Sequence, residues 1–80
     1  MYYIYIVKCA DDTLYTGIAK NIERRIIEHN SSKKGAKYTR TRRPVKLLYS
    51  EKYPDRSSAS KREYEIKKRM SRKEKLALIG

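Results

Sequence analysis

Glu63 is a carboxylate where the pattern of the chain asks for an apolar residue. It stands four residues after Ala59 and three before Ile66, on the inward stripe of a helix expected over 57–70. Removing a lone carboxylate from water is costly, so such a residue needs a cation. Two kinds serve: a basic side chain, with Arg24 and Arg25 among the candidates, or a divalent metal. A hard cation such as Mg²⁺ is commonly held by one or two carboxylates plus phosphate and water. A second constellation is Arg25 with His29, i,i+4 neighbours leaving one helix in the same direction. A lone histidine on a semi-apolar face is usually structural, but the fork of a neighbouring arginine suits a phosphate oxygen. The third is Tyr5 and Tyr15, ten residues apart on strands joined by a tight turn. Cross-strand packing is the ordinary role of such a pair, and hydroxyl chemistry is the other. Together, a metal, a guanidinium and hydroxyls that handle a water make a phosphodiester-hydrolysing site.

The elements that must hold these residues follow from local patterns. Residues 1–9 are β-branched and aromatic and read as a strand with both faces partly covered. Turn chemistry at 10–13 leads to a second short strand, Leu14 to Ile18, so 2–18 should be a β-hairpin. Gly17 marks a close backbone approach or a bend. Asn21 should cap a helix running to about Asn30, with Ile22, Ile26 and His29 on its inner stripe and Arg25 at the edge. Residues 31–46 carry Lys33, Lys34, Lys37, Arg40, Arg42, Arg43 and Lys46 without one acid and read as an irregular connection. A third strand spans Val45 to Tyr49, and Pro54 ends the extended run. Asp55 or a nearby serine should cap the helix over 57–70, with Ala59, Ile66 and Met70 inward. Ser71 to Glu74 is a capping-box pattern opening a last helix that carries Leu76, Ala77, Leu78 and Ile79. The expected fold is α/β (α+β): a small three-stranded antiparallel sheet flanked by helices, in the order β-β-α-β-α-α, forming one domain over 1–80.

Composition narrows the partners. Lys and Arg number 21 against 9 Asp and Glu, a formal charge of +12, which points to a polyanion. Nucleic acid is favoured over an anionic membrane or an acidic protein. One cysteine excludes an internal disulfide and a thiolate metal cluster, and suits a reducing cytoplasm. One histidine and scattered acids assemble no Ser-His-Asp set, and three glycines make no Gly-rich phosphate loop. The short apolar start, broken by Lys8, is too brief for a signal peptide or a spanning helix, so a cytoplasmic protein without membrane contact is expected. Eight tyrosines without Phe or Trp supply rings that pack while presenting hydroxyls.

At this point the chain resembles the GIY-YIG nuclease superfamily over nearly its whole length. The first triplet is Tyr3-Ile4-Tyr5 and the second Tyr15-Thr16-Gly17. The family's arginine falls on Arg25 within Lys20-Asn21-Ile22-Glu23-Arg24-Arg25, and the following His or Tyr on His29. The metal-binding glutamate falls on Glu63 in an A-x-x-x-E setting begun by Ala59. The likeness is greatest to a small stand-alone bacterial branch, which shares the run Gly35 to Pro44, the helix Arg62 to Lys68 and a final S-R-x-E-K segment. Tyr3 and Thr16 are variants within the triplets, and Ile18 stands where excision-repair relatives carry lysine.

The resemblance implies one-metal hydrolysis. Glu63 would hold Mg²⁺ or Mn²⁺, Tyr5 would position or deprotonate the attacking water with Tyr15 or His29 assisting, and Arg25 would neutralise the transition state. Lys37, Tyr38, Arg40, Arg42 and Arg43 would grip the backbone, with Tyr38 stacking on an unpaired base. DNA is favoured over RNA as partner, the chain is expected to be a monomer, and cutting is expected to be structure-selective or promiscuous. Two rivals stand beside this: a nucleic-acid-binding module of the same fold that does not cleave, and a basic protein docking on ribosomal RNA or an acidic partner.

Overall fold

The computed structural model describes residues 1–31 and 36–80; Lys33, Lys34 and Gly35 of the basic run lie outside them. Strand β1 (Tyr2–Lys8) is central in an antiparallel sheet of order β2-β1-β3, between β2 (Leu14–Ala19) and β3 (Lys46–Tyr53). Its four residues Ile4 to Val7 are all buried, the signature of a strand covered on both faces. The turn behind the hairpin works as Asp chemistry dictates. Asp11 accepts from the Thr13 amide (3.2 Å) and hydroxyl (2.6 Å), and Asp12 takes the left-handed region at φ 68°.

Two small cores form, one on each face of the sheet. Ile4 and Ile6 pack with Ala59 and Ile66, supported by Tyr49, Tyr53, Met70, Leu78 and Ile79. This face is covered by helix α3 (Arg56–Tyr64), its π-helical continuation Glu65–Arg69, and helix α4 (Arg72–Ile79). On the other face Tyr5, Val7, Cys9 and Val45 pack with Tyr15, Ala19, Ile22 and Ile26, under helix α1 (Ile22–Ser31). The caps sit where side-chain chemistry puts them. The Arg24 amide donates to Asn21 Oδ1 (3.0 Å), the Ser58 amide to Asp55 Oδ1 (2.7 Å), and Ser71 with Glu74 closes a capping box.

The expected order β-β-α-β-α-α holds, with four departures. Within the stretch expected to be irregular, Lys37–Arg40 forms a one-turn helix, α2. It lacks any apolar periodicity and is held by one buried residue, Thr39. Strand β3 begins at Lys46 because the backbone of Val45 is satisfied elsewhere: its N–H donates to Asn30 Oδ1 (2.7 Å) and its carbonyl accepts from Asn30 Nδ2 (3.1 Å). The same strand runs past Tyr49 to Tyr53, with a bulge between the partners of Ile6 and Val7. Its extension is tied to α3 through Glu51, which accepts from Arg62 Nε (2.9 Å), Arg62 Nη2 (3.1 Å), the Tyr53 hydroxyl (2.6 Å) and the Tyr49 hydroxyl. Finally, the expected single helix over 57–70 widens to π after Tyr64. Ala59 and Ile66 remain buried, while Glu63 comes to the rim of their stripe with about a quarter of its side chain exposed.

Candidate active site

The site is built around the Tyr5 ring. Tyr5 on β1 faces Gly17 on β2 in the antiparallel register, and its ring lies across the glycine. A Cβ at position 17 would stand 2.5 Å from Tyr5 Cζ and closer still to Oη. Gly17 is thus needed for close approach, which lets the hydroxyl reach the outer edge of the sheet. There it lies 2.8 Å from His29 Nε2 of helix α1. Both residues are buried, Tyr5 at 1% and His29 at 0% exposure.

Four further residues close around this pair. Arg25, one turn before His29, makes a side-chain hydrogen bond with the Tyr5 hydroxyl and an ion pair with Glu28 at 3.0 Å. Tyr15 packs its ring against Tyr5 (centroids 6.5 Å apart) and against His29 edge-on (5.5 Å). Glu63, on α3, lies close enough for its charge to act on Tyr5. Its Oε2 is paired with Lys67 Nζ at 3.2 Å, and the same ammonium lies over the Tyr15 ring at 5.4 Å. The cation opposite Glu63 in this structure is therefore Lys67, not Arg24 or Arg25, both of which pair with Glu28.

Burial determines the protonation states. It pushes Tyr5 up to about 12, opposed in part by the Arg25 hydrogen bond. Burial also lowers His29 to about 4, helped by the Arg25 charge. At neutral pH the pair is a phenol beside a neutral imidazole.

The basic residues assigned to backbone gripping occupy mixed positions. Lys37 and Arg40 lie exposed on α2. Tyr38 stacks on Tyr15 (5.8 Å, 22° between planes), and the Arg42 guanidinium lies 4.0 Å from its ring centre. A base could stack on Tyr38 only by displacing one of these two. Arg42 also donates to Asp11 Oδ2 (3.0 Å) and to the Tyr38 carbonyl (2.8 Å). Arg43 Nε donates to the His29 carbonyl (2.5 Å) at the end of α1. Arg42 and Arg43 thus brace the site as well as adding charge.

Sequence reasoning passed over Thr39 and Lys67. Thr39 Oγ1 lies 2.7 Å from His29 Nδ1. It sits among exposed basic residues, with no apolar pattern to signal burial. Lys67 was signalled only by its i,i+4 spacing from Glu63.

A hairpin carrying two tyrosines, a helix carrying Arg and His, and a glutamate on a later helix define a GIY-YIG domain. Residues 1–76 match the model of the GIY-YIG catalytic domain, and the chain belongs to that family. Among curated relatives, the UPF0213 protein SSP2268 of Staphylococcus saprophyticus is 62% identical over 99% of this chain and 94% of its own length. The UPF0213 protein DP2720 of Desulfotalea psychrophila is 70% identical over 82% of this chain and 60% of its own length. The solution structure of the UPF0213 protein BH0048 from Bacillus halodurans superposes with a TM-score of 0.61 at 42% identity, covering 99% of this chain and 83% of that one. These relatives are small uncharacterised bacterial proteins, so the domain indicates a nuclease-like function without a defined substrate. No helix among the described residues is long and apolar enough to cross a membrane.

Proposed function

We propose that this protein is a metal-dependent endonuclease that hydrolyses phosphodiester bonds of nucleic acid, acting on DNA in a structure-selective or promiscuous way. The observation that carries this reading is the buried contact between the Tyr5 phenol and the neutral His29 imidazole, within reach of the charges of Arg25 and Glu63. A phenol held near pKa 12 is almost wholly protonated at neutral pH, so Tyr5 does not work as a standing phenolate. It takes a proton from the attacking water as it passes its own to His29 Nε2, so charge moves to the ring and oxygen attacks phosphorus. Arg25 turns part of its fork from Glu28 toward the developing negative charge.

The donor set fits one hard cation. Among the described residues no group of three His, Cys, Asp or Glu could enclose a metal. Glu63 instead offers one rim carboxylate already holding a positive group, which suits an ion completed by substrate phosphate and water. Glu63 would hold Mg²⁺ or Mn²⁺ in place of its pair with Lys67. Such an ion supplies Lewis-acid stabilisation of the leaving oxygen.

A specific observation favours a second reading, a binding module that does not cleave: Glu63 and Arg25 are each satisfied by a neighbour, Lys67 and Glu28. One experiment separates the two. Branched, flapped, single-stranded and duplex DNA and RNA are incubated with the protein with and without Mn²⁺, with Glu63→Gln as control. Cutting of at least one DNA class that needs metal, lost in Glu63→Gln while binding persists, supports the nuclease. Binding of nucleic acid with no metal-dependent cutting of any class supports the module.

A further inference from the structure

Thr39 is fully buried on a one-turn helix whose other residues are all exposed. Its hydrogen bonds show what holds it there. Oγ1 donates to the Ala36 carbonyl (3.0 Å) and lies 2.7 Å from His29 Nδ1. A threonine hydroxyl has one proton to give. With that proton on the Ala36 carbonyl, Oγ1 can only accept from the ring, so Nδ1 carries the hydrogen. A neutral imidazole has one N–H. Nε2 is then a bare lone pair 2.8 Å from the Tyr5 hydroxyl, and Tyr5 must donate to it. The Ala36 amide also donates toward Nδ1, over a longer 3.4 Å, and is satisfied only in the opposite arrangement. There Thr39 and Ala36 would both donate to a bare Nδ1, and Nε2–H would point at Tyr5. The amide contact is long for a hydrogen bond, whereas the first arrangement gives the Thr39 hydroxyl, Nδ1–H and the Tyr5 hydroxyl an acceptor each within 3.0 Å, and on that count it is favoured.

We propose, resting on the nuclease reading above, that Thr39 is a positioning residue which sets the tautomer of His29 so that Tyr5 donates to Nε2. The proton count then closes without any rearrangement. Water gives a proton to Tyr5 Oη, the Tyr5 proton passes to Nε2, and the imidazolium keeps its Nδ1–H on Thr39. In the opposite tautomer Nε2 already carries hydrogen, and Tyr5 has nowhere to send its proton. The same buried hydroxyl therefore decides whether the relay is open or closed, although it never touches substrate.

The chain has one histidine, so its ring nitrogens are read without ambiguity in a long-range ¹H–¹⁵N spectrum. The wild type and Thr39→Ser should show a protonated Nδ1 and a bare Nε2. Thr39→Val, which keeps the shape and removes the acceptor, should move population to the Nε2–H form. With a cleaved substrate, kcat of Thr39→Val should fall about ten- to a hundredfold with KM unchanged, and Thr39→Ser should stay near wild type. Thr39→Ala replaces Thr39→Val if the latter does not fold. A wild-type ring protonated at Nε2, or a tautomer unmoved by loss of the hydroxyl, overturns the proposal. So does a wild type that cleaves alongside a folded Thr39→Val that cleaves equally well. The spectrum needs no substrate: the expected tautomer and its shift in Thr39→Val, in a protein that cuts nothing, would uphold the tautomer assignment and overturn the nuclease reading instead.

Discussion

Gly17→Ala adds one methyl group and should disable the site while leaving the fold recognisable. The new Cβ would lie 2.5 Å from Tyr5 Cζ and 3.0 Å from Cε2, whereas carbon atoms in contact sit at about 3.5–4 Å. The Tyr5 ring must therefore retreat by roughly 1 Å. It cannot do so freely, since Tyr15 and His29 pack against it and the residue is buried. Overpacking of this kind costs about 1–3 kcal/mol, a fall in melting temperature of about 5–20 °C for a chain of this length. The same movement stretches the 2.8 Å contact with His29, and a 1 Å misplacement of a reacting group can cost about a hundredfold in rate. Thermal melts and single-turnover cleavage on the same preparation read both effects. Adding Tyr5→Phe to Gly17→Ala removes the most severely clashing atom, so it should recover part of the stability and none of the activity. A Gly17→Ala protein that melts and cuts like wild type would refute the close-approach reasoning.

Four other substitutions test separate contacts. His29 is held neutral by burial, at about 4, against about 6.5 in an unfolded chain, so the unfolded state takes up the proton first as pH falls. The contribution of this residue is full above about 6.5 and lost progressively toward 4. It should cost about 2 kcal/mol by pH 5 in urea melts, and His29→Gln should flatten that part of the curve. Lys67→Met removes the cation paired with Glu63 and should tighten Mn²⁺ binding by up to about fivefold in an electron-spin-resonance titration; weaker binding would mean Lys67 supports the ion. Arg43→Ala breaks the bond to the His29 carbonyl and should lower stability by about 1.5–3 kcal/mol. Arg40→Ala should instead change the salt dependence of nucleic-acid binding by about one unit of slope. An unchanged melt with a flattened slope for Arg43→Ala would make Arg43 a phosphate contact.

Those residues also show where reading the sequence succeeds and where it stops. The hairpin, the Asn21 and Asp55 caps and the Ser71 capping box are local chemistry, written within four residues, and the structure shows each of them. The grouping of Tyr5, Tyr15, Arg25, His29 and Glu63 was visible through helical spacing and family resemblance. What escaped depends on contacts between distant segments. The burial of Thr39 comes from a histidine ten residues away, and the Val45 boundary from the Asn30 amide. The reach of β3 from Tyr49 to Tyr53 rests in the same way on a distant partner, the Arg62 guanidinium that holds Glu51. The cation at Glu63 was left open between a metal and a basic side chain, since i,i+4 spacing offers a partner to most charges on a basic helix.

The most direct test of the central claim is single-turnover cleavage by Tyr5→Phe at saturating protein and Mn²⁺. The substitution deletes the hydroxyl that contacts His29 Nε2 and leaves the ring that fills the core. The account predicts a rate lower by about a hundred- to ten-thousandfold, with nucleic-acid binding unchanged. It also predicts a stability loss of only about 1–3 kcal/mol, from the unpaired His29 nitrogen. A folded Tyr5→Phe protein that cleaves at the wild-type rate would contradict it.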